Sequence, residues 1–205
     1  MQIVGFSGKI GTGKSTAAKA LVSKFPEGMA KRVAYGDLLK EEVAEGFKIP
    51  LEWCYNQNIK ENVKLCMPEF LVHAGYCEPQ TVRTLRQVLQ WWGTEYRRAQ
   101  DPAYWIKAMA DRLAQMELDG VRCAVIDDVR FVDEAEYILH RGGQVYRINP
   151  HPEWMAGAYA RHESETALDL FEDFTARFYP QFGGLGFVAD TVYQHLARGP
   201  HGQDS

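Results

Sequence analysis

The sequence predicts an α/β fold in which a parallel sheet is flanked by helices, and three features of the chain lead there. An apolar run, Ile3-Val4-Gly5-Phe6, passes through a glycine-rich turn into a stretch where Ala17, Ala18, Leu21, Val22 and Phe25 recur at helical spacing. Cys123-Ala124-Val125-Ile126 is apolar without alternation, as expected of a central parallel strand covered on both faces. Strand and helix signals alternate along much of the chain, the pattern of a parallel sheet with crossover helices.

The elements follow in order. Ile3–Phe6 reads as the first strand and Ser15–Phe25 as the first helix. Val33-Ala34-Tyr35 reads as a second strand. A helix follows it, with Leu38, Leu39, Val43, Ala44 and Phe47 on one face and Asp37 as its N-cap. Between residues 48 and 80, Pro50, Pro68, Gly75 and Pro79 interrupt any long period, so short helices and loops are expected. Thr81–Gln100 is predicted as one helix from Val82, Leu85, Val88, Leu89, Trp92 and Tyr96. Asp101-Pro102 is a helix start signal, Asp as cap and Pro at the first turn, for a helix carrying Trp105, Ile106, Met109, Leu113 and Met116 and ending near Gly120. After the Cys123–Ile126 strand come a helix over Phe131–His140, stopped by Gly142-Gly143, and a strand at Val145–Ile148. Asn149–Ala167 lacks apolar periodicity and suits a mobile loop. Leu168–Tyr179 is read as helical, and Phe187–Leu196 as a strand running into a helix. One domain over residues 1–198 is expected, with 48–100 as a helical acceptor-binding region and 149–167 as a lid-like loop. Residues 199–205 are expected to form a disordered tail.

Composition narrows the class. No apolar run reaches the ~20 residues that a membrane-spanning helix requires, so a cytoplasmic protein that does not engage a membrane is expected. The formal charge of −4 argues against non-specific nucleic-acid binding, which depends on a positive surface. Cys54, Cys66, Cys77 and Cys123 form no C-x-x-C pair and have no histidine at ligand spacing, so reduced thiols are expected rather than zinc.

The most informative segment is Gly8-Lys9-Ile10-Gly11-Thr12-Gly13-Lys14-Ser15, which fits G-x-x-x-x-G-K-[ST] between a strand and a helix. Glycines there let successive N–H groups point inward at a phosphate chain, and the following helix adds its positive end. Residues Gly8, Lys9, Ile10, Gly11, Thr12, Gly13, Lys14, Ser15 and Thr16 are therefore the expected nucleotide cradle. Lys14 would supply charge on the β/γ-phosphates and Ser15 a hydroxyl ligand to Mg²⁺. The expected ligands are ATP and Mg²⁺.

Other candidates lie at strand ends, where ligands of parallel sheets sit. Asp127 and Asp128 follow the buried strand, and either could hold Mg²⁺ or its waters; periodicity does not choose between them. Arg130 either clamps a phosphoryl oxygen or pairs with Glu134. Asp37 serves as a helix cap, or orients or deprotonates an acceptor. Arg83, Arg86, Arg97 and Arg98, with no lysine among them, suit bidentate phosphate recognition, and Arg86, Gln90 and Arg97 can share a helical face. Trp91 and Trp92 either stack on a base or belong to the core. Arg161-His162-Glu163-Ser164-Glu165 is polar enough for an active-site loop, with Arg161 placed to close over a triphosphate.

Together these segments resemble the bacteriophage deoxynucleoside monophosphate kinases, a branch of the P-loop kinases. The resemblance rests on Gly8–Ser15, Tyr35-Gly36-Asp37-Leu38-Leu39-Lys40, Leu89-Gln90-Trp91-Trp92-Gly93-Thr94-Glu95 and Asp101-Pro102-Ala103-Tyr104-Trp105-Ile106. It continues in Ile126-Asp127-Asp128-Val129-Arg130-Phe131 and His162-Glu163-Ser164-Glu165, and so spans most of the chain. It implies a three-layer P-loop NTPase/nucleoside monophosphate kinase fold with a mobile lid. It implies that Asp128, two before Arg130, is the active-site carboxylate and metal residue. By the same resemblance Lys40, Gln90, Thr94 and Arg98 line the acceptor pocket, and His162 and Glu165 lie near the lid. Transfer of the γ-phosphoryl of ATP to a deoxynucleoside 5′-monophosphate is the implied reaction, and a homodimer the implied assembly. The chain departs from the family at Val132-Asp133-Glu134, where many relatives have Asn before the glutamate. It departs again at Asn149-Pro150, where many have Arg-Pro; Arg147 or Arg161 would then supply the lid arginine.

Two other functions compete. A related kinase reaction phosphorylates a hydroxymethyl-pyrimidine within DNA, and the arginines would then follow a DNA backbone while Trp91 holds an extruded base. An ATP-dependent switch or assembly ATPase would need no small acceptor at all.

Overall fold

The structure, a computed structural model, describes residues 1–78, 80–149, 167–180 and 184–198. The chain divides into two compact units, Met1–Ala34 with Ala110–Ser205, and Tyr35–Met109.

The first unit holds five parallel strands: β1 (Gln2–Ser7), β2 (Ala30–Val33), β5 (Cys123–Val129), β6 (Gln144–Ile148) and β7 (Ala176–Phe178). Their spatial order is β2-β5-β1-β6-β7. The remaining strands, β3 (Lys64–Cys66) and β4 (Val82–Thr84), form an antiparallel pair in the second unit. β1 lies between β5 and β6 and is buried from Ile3 to Ser7, which is why its sequence is an apolar run rather than an alternation. Helices α1 (Lys14–Val22) and α8 (Leu185–Arg198) cover one face. There Ala17, Ala18 and Leu21 meet Val188 and Val192 over Val4, Phe6, Val125 and Tyr146. On the other face α7 (Val132–His140) packs Ile138 against Gly5, beside Val129 and Val145. This is the predicted three-layer α/β fold: a parallel sheet flanked by helices, with a glycine loop following its central strand.

The second unit contains α2 (Tyr35–Phe47), α3 (Gln57–Asn62), α4 (Glu69–His73), α5 (Leu85–Trp91) and the start of α6 (Tyr104–Leu118). Leu51–Cys54 is a 3-10 turn and Trp92–Arg98 a π-helical segment. Its core is aromatic: Trp92 meets Phe47, Phe70, Trp91 and Tyr96 at centroid distances of 5.7, 6.5, 6.3 and 4.9 Å. Glu42 binds this cluster together, accepting from Trp92 Nε1 at 3.0 Å and Tyr104 Oη at 3.0 Å and pairing with Arg97.

Several expectations need correction. The strand placed at 33–35 lies instead at Ala30–Val33, because Ala30 pairs with Cys123 and turns inward, whereas Tyr35 already opens α2. Asp37 is accordingly a first-turn residue and not the N-cap. The helix expected over Thr81–Gln100 begins only at Leu85. Thr84 caps it by accepting from Gln87 N, and the Gln87 side chain reciprocates at Thr84 N. Residues before that cap pair with β3 instead. Leu168–Tyr179 is not a helix: its end forms β7, a three-residue strand paired to β6 and too short to show a period. Phe187–Leu196 belongs wholly to α8. Phe187 points outward, 69% exposed, while Val188, Ala189 and Val192 are buried at helical spacing.

Candidate functional site

At the carboxyl end of β1 the chain leaves a buried Ser7 and curls through the glycine loop into α1. Gly8 has φ +151 and Gly11 φ +80, conformations that side chains rarely adopt. At Gly8 space forbids a side chain as well, since a Cβ would stand 2.3 Å from the Ile148 carbonyl oxygen. The loop is organised on one carbonyl: Lys9 O accepts from Thr12 N at 3.3 Å, Thr12 Oγ1 at 2.9 Å and Lys14 Nζ at 2.8 Å. Lys14 Nζ also donates to Gly8 O at 2.6 Å, so the ammonium is folded over the loop itself. Ser15 and Thr16 are exposed on the first turn of α1. Among the described residues no side chain caps that turn, and no acidic residue lies in it to offset the positive helix end.

Beside the loop, on the neighbouring strand, stand Asp127 and Asp128. Gly5 pairs with Ile126 but Ser7 with Val129, so two residues of β5 face the single Phe6 of β1. Such a bulge suspends the alternation of side chains, which is why spacing could not separate the two aspartates. Asp127 continues the face of Cys123 and Val125, the α1 side of the sheet. Its Oδ2 accepts from Arg32 Nε at 2.7 Å, while its buried Oδ1 has no hydrogen-bond partner among the described residues. Asp128 is half-buried. Arg130 and Phe131 donate their backbone N–H groups to Glu134 Oε2, at 2.8 and 3.2 Å. Glu134 thus fixes the exit from β5 into α7 through main-chain hydrogen bonds.

Arg147, offered as a stand-in for the lid arginine, is 5% exposed. It donates from Nη1 to Ser7 Oγ at 3.0 Å and from Nη2 to Asp169 Oδ1 at 2.6 Å. The other oxygen of Asp169 lies 3.3 Å from Lys9 Nζ. Neither Ser7 nor Asp169 stood out in the sequence; only the fold brings them together.

The acceptor candidates lie in the second unit. Asp37 is buried, and its Oδ1 accepts from Tyr55 Oη at 2.8 Å and faces Lys40 Nζ at 3.3 Å. The Lys40 ammonium sits 4.2 Å from the Tyr55 ring centre, so Tyr55 joins Asp37 and Lys40 in one cluster. Gln90 and Thr94 are exposed and Arg98 is half-buried. Arg86, Gln90 and Arg97 do not behave as one face: Arg86 pairs with Glu61 of α3 and Arg97 with Glu42 of α2, because the π-helical segment winds differently from a continuous α-helix. Arg83 is on β4, its guanidinium 4.9 Å from the Trp91 ring centre. Trp91 is 6% exposed and stacks on Tyr96 at 5.3 Å, built into the aromatic cluster of its own unit.

Arg161, His162 and Glu165 lie outside the described residues, as does most of the loop at 149–167. Among the described residues no group of three or more His, Cys, Asp or Glu side chains is arranged to hold a metal. Cys54 and Cys123 are buried, and burial pushes the Cys123 thiol up to about 12. No helix among the described residues is long and apolar enough to cross a membrane.

Fold and loop together define the first unit as a P-loop α/β architecture. No protein-family profile matches the chain, and no curated protein does. Among solved structures it resembles the shikimate kinase of Bacteroides thetaiotaomicron, with a TM-score of 0.41 and 14% identity over 96% of this chain and 98% of that one. Likeness at that level does not extend to chemistry, which rests here on the residues themselves.

Proposed function

We propose that this chain is an ATP-dependent phosphotransferase that moves the γ-phosphoryl group to the 5′-phosphate of a deoxynucleoside monophosphate. The observation that carries the reading is the loop after β1. Its glycines occupy conformations that other residues rarely adopt, its lysine lies over its carbonyls, and the helix behind it starts with no side-chain cap among the described residues and no acidic residue in its first turn. Such a terminus favours an anion by dipole and by hydrogen bonding together. The deoxynucleotide acceptor rests on the resemblance of the Tyr35–Lys40, Leu89–Glu95 and Asp101–Ile106 segments to the phage kinases.

In this reaction the bond between Pγ and the β,γ-bridging oxygen breaks, and a bond forms between Pγ and an acceptor phosphate oxygen. ADP leaves, and the acceptor becomes a diphosphate. An ionised phosphate oxygen carries no proton to remove, so catalysis consists of placing two anions in line and offsetting their charge. Lys14 and the amides of Gly11–Thr16 hold the triphosphate. Ser15 and the Asp127–Asp128 pair suit a hydrated divalent cation, since a buried carboxylate oxygen without a partner costs about 1–3 kcal/mol unless something donates to it. Mg²⁺, when bound, would neutralise charge on the β- and γ-phosphates. Asp37, ordered by Tyr55 and Lys40, orients the acceptor.

The test is a coupled ADP-release screen against the deoxynucleoside monophosphates, run beside oligonucleotides containing hydroxymethyl-pyrimidines. ADP release on a free monophosphate, abolished by Lys14→Ala with the fold intact by circular dichroism, supports the proposal. Phosphate appearing only on the oligonucleotides, ADP released at the same rate with no acceptor, or retained turnover in Lys14→Ala overturns it.

A further inference from the structure

Asp169 lies far from the phosphate loop in sequence, yet its two carboxylate oxygens hold cations that straddle Gly8. Oδ2 lies 3.3 Å from Lys9 Nζ, on the residue after Gly8. Oδ1 accepts from Arg147 Nη2 at 2.6 Å, and Arg147 Nη1 reaches Ser7 Oγ at 3.0 Å, on the residue before it. The Arg147 guanidinium is nearly buried, its centre 5.9 Å from the Phe174 ring, so its geometry is fixed by packing as well as by charge. Lys9 is also the residue whose carbonyl collects Thr12 N, Thr12 Oγ1 and Lys14 Nζ. Whatever fixes Lys9 therefore fixes the peptide on which the loop and its lysine are organised.

We propose that Asp169 is a positioning residue of the nucleotide site, clamping Ser7 (through Arg147) and Lys9 on either side of Gly8 so that the loop is curled before a triphosphate arrives. This rests on the nucleotide-binding reading above and extends it to a residue outside the motif. A preformed loop spares the ligand the cost of ordering it, so the clamp tightens binding even though it is itself an anion.

That last point gives the test its sign. Electrostatics alone requires that removing a carboxylate near a triphosphate site should strengthen binding of the triphosphate. Positioning requires the reverse. Asp169→Asn is nearly isosteric and keeps an acceptor oxygen, and Asp169→Glu keeps the charge on a longer arm. Lys9→Met cuts one arm of the clamp while leaving Arg147 and Asp169 paired. The measurements are the dissociation constant of a non-hydrolysable ATP analogue with Mg²⁺, by titration calorimetry without acceptor, and the KM for ATP against that for the acceptor. Asp169→Asn should weaken the analogue roughly tenfold, the lower end of what a charged hydrogen bond contributes. KM for ATP should rise in step, with KM for the acceptor unchanged, and Asp169→Glu should recover part of the loss. Because both act on one peptide, Lys9→Met and Asp169→Asn should combine to less than the product of their separate effects. Should Asp169→Asn fail to fold, Asp169→Glu carries the test alone: its charge is unchanged, so electrostatics alone predicts no change in binding, whereas displacing the carboxylate should weaken it by about threefold. Binding that is unchanged or tighter in the tested variant overturns the inference and leaves the proposed function standing. A wild-type protein that binds no nucleotide overturns both.

Discussion

Replacing Gly8 by alanine tests whether the loop's shape is dictated by its backbone, and Gly11→Ala is its internal control. Both glycines have positive φ, so both substitutions force a side chain into a region worth roughly 1–2 kcal/mol of strain. They differ in surroundings. A Cβ at Gly11 meets nothing within 4 Å, whereas one at Gly8 stands 2.3 Å from Ile148 O and 2.7 Å from Thr12 Oγ1. The Ile148 carbonyl is main chain at the end of β6, and it cannot rotate aside as a side chain would. Overpacking of that kind adds about 1–3 kcal/mol, giving a total of roughly 2–5 kcal/mol for Gly8→Ala. For a domain of this size each kcal/mol lowers Tm by about 2–4 °C, so Gly8→Ala should lose at least ~4 °C and at least about 1.5 times what Gly11→Ala loses. Differential scanning calorimetry at one scan rate, on ligand-free protein, reads both. Equal losses would show that the contact between Gly8 and β6 does not shape the loop, and the account of the cradle given above would have to be withdrawn.

Three other outcomes follow from the same physics. Lys14→Ala should abolish phosphoryl transfer while the fold is retained, since the glycine conformations and the Thr12 bonds to Lys9 O also shape the loop; a stopped coupled assay and a melting curve check this together. Arg32→Met leaves the Asp127 carboxylate, 1% exposed, without its guanidinium, and should cost about 2–4 kcal/mol in urea denaturation, discounted from a fully buried pair because Arg32 is a third exposed. Burial holds the Cys123 thiol protonated far above its ordinary value, so at pH 8 iodoacetamide should alkylate exposed Cys66 while Cys123 stays unmodified until the protein unfolds; mass spectrometry of a time course decides, and equal rates at the two sites would refute it.

What the sequence revealed and what it hid divide along a physical line. The phosphate loop was legible because its constraint is local: glycine conformations, a lysine and a helix start all lie within nine residues. The central strands were legible because burial on both faces leaves only apolar residues at Ile3–Phe6 and Cys123–Ile126. β7 was hidden because three residues at a sheet edge carry no period, and the apolar residues around them imitate a helix. The helix predicted over 81–100 failed at Thr84, whose hydroxyl takes the cap position that apolar spacing cannot sense. Spacing did not separate Asp127 from Asp128, because the strand bulges there, a property of pairing with β1 that neither strand records alone. Asp169 was invisible for the same reason: its partners, Lys9 and Arg147, are assembled by the sheet and not by the chain's neighbourhood.

The π-helical segment at Trp92–Arg98 bears on how this protein can change over time. A wide turn holds one residue more than ordinary winding would, so loss of a single codon there could restore a regular helix without breaking the backbone path. Residues before and beyond the deletion would stay in place, because the wide turn already absorbs the extra residue, while side chains within the turn would move to new positions around the axis. Thr94, Arg97 and Arg98 would then present themselves to new neighbours in one mutational step. A lineage could thus rewrite the chemistry of this helix by shortening it rather than by exchanging its side chains one at a time.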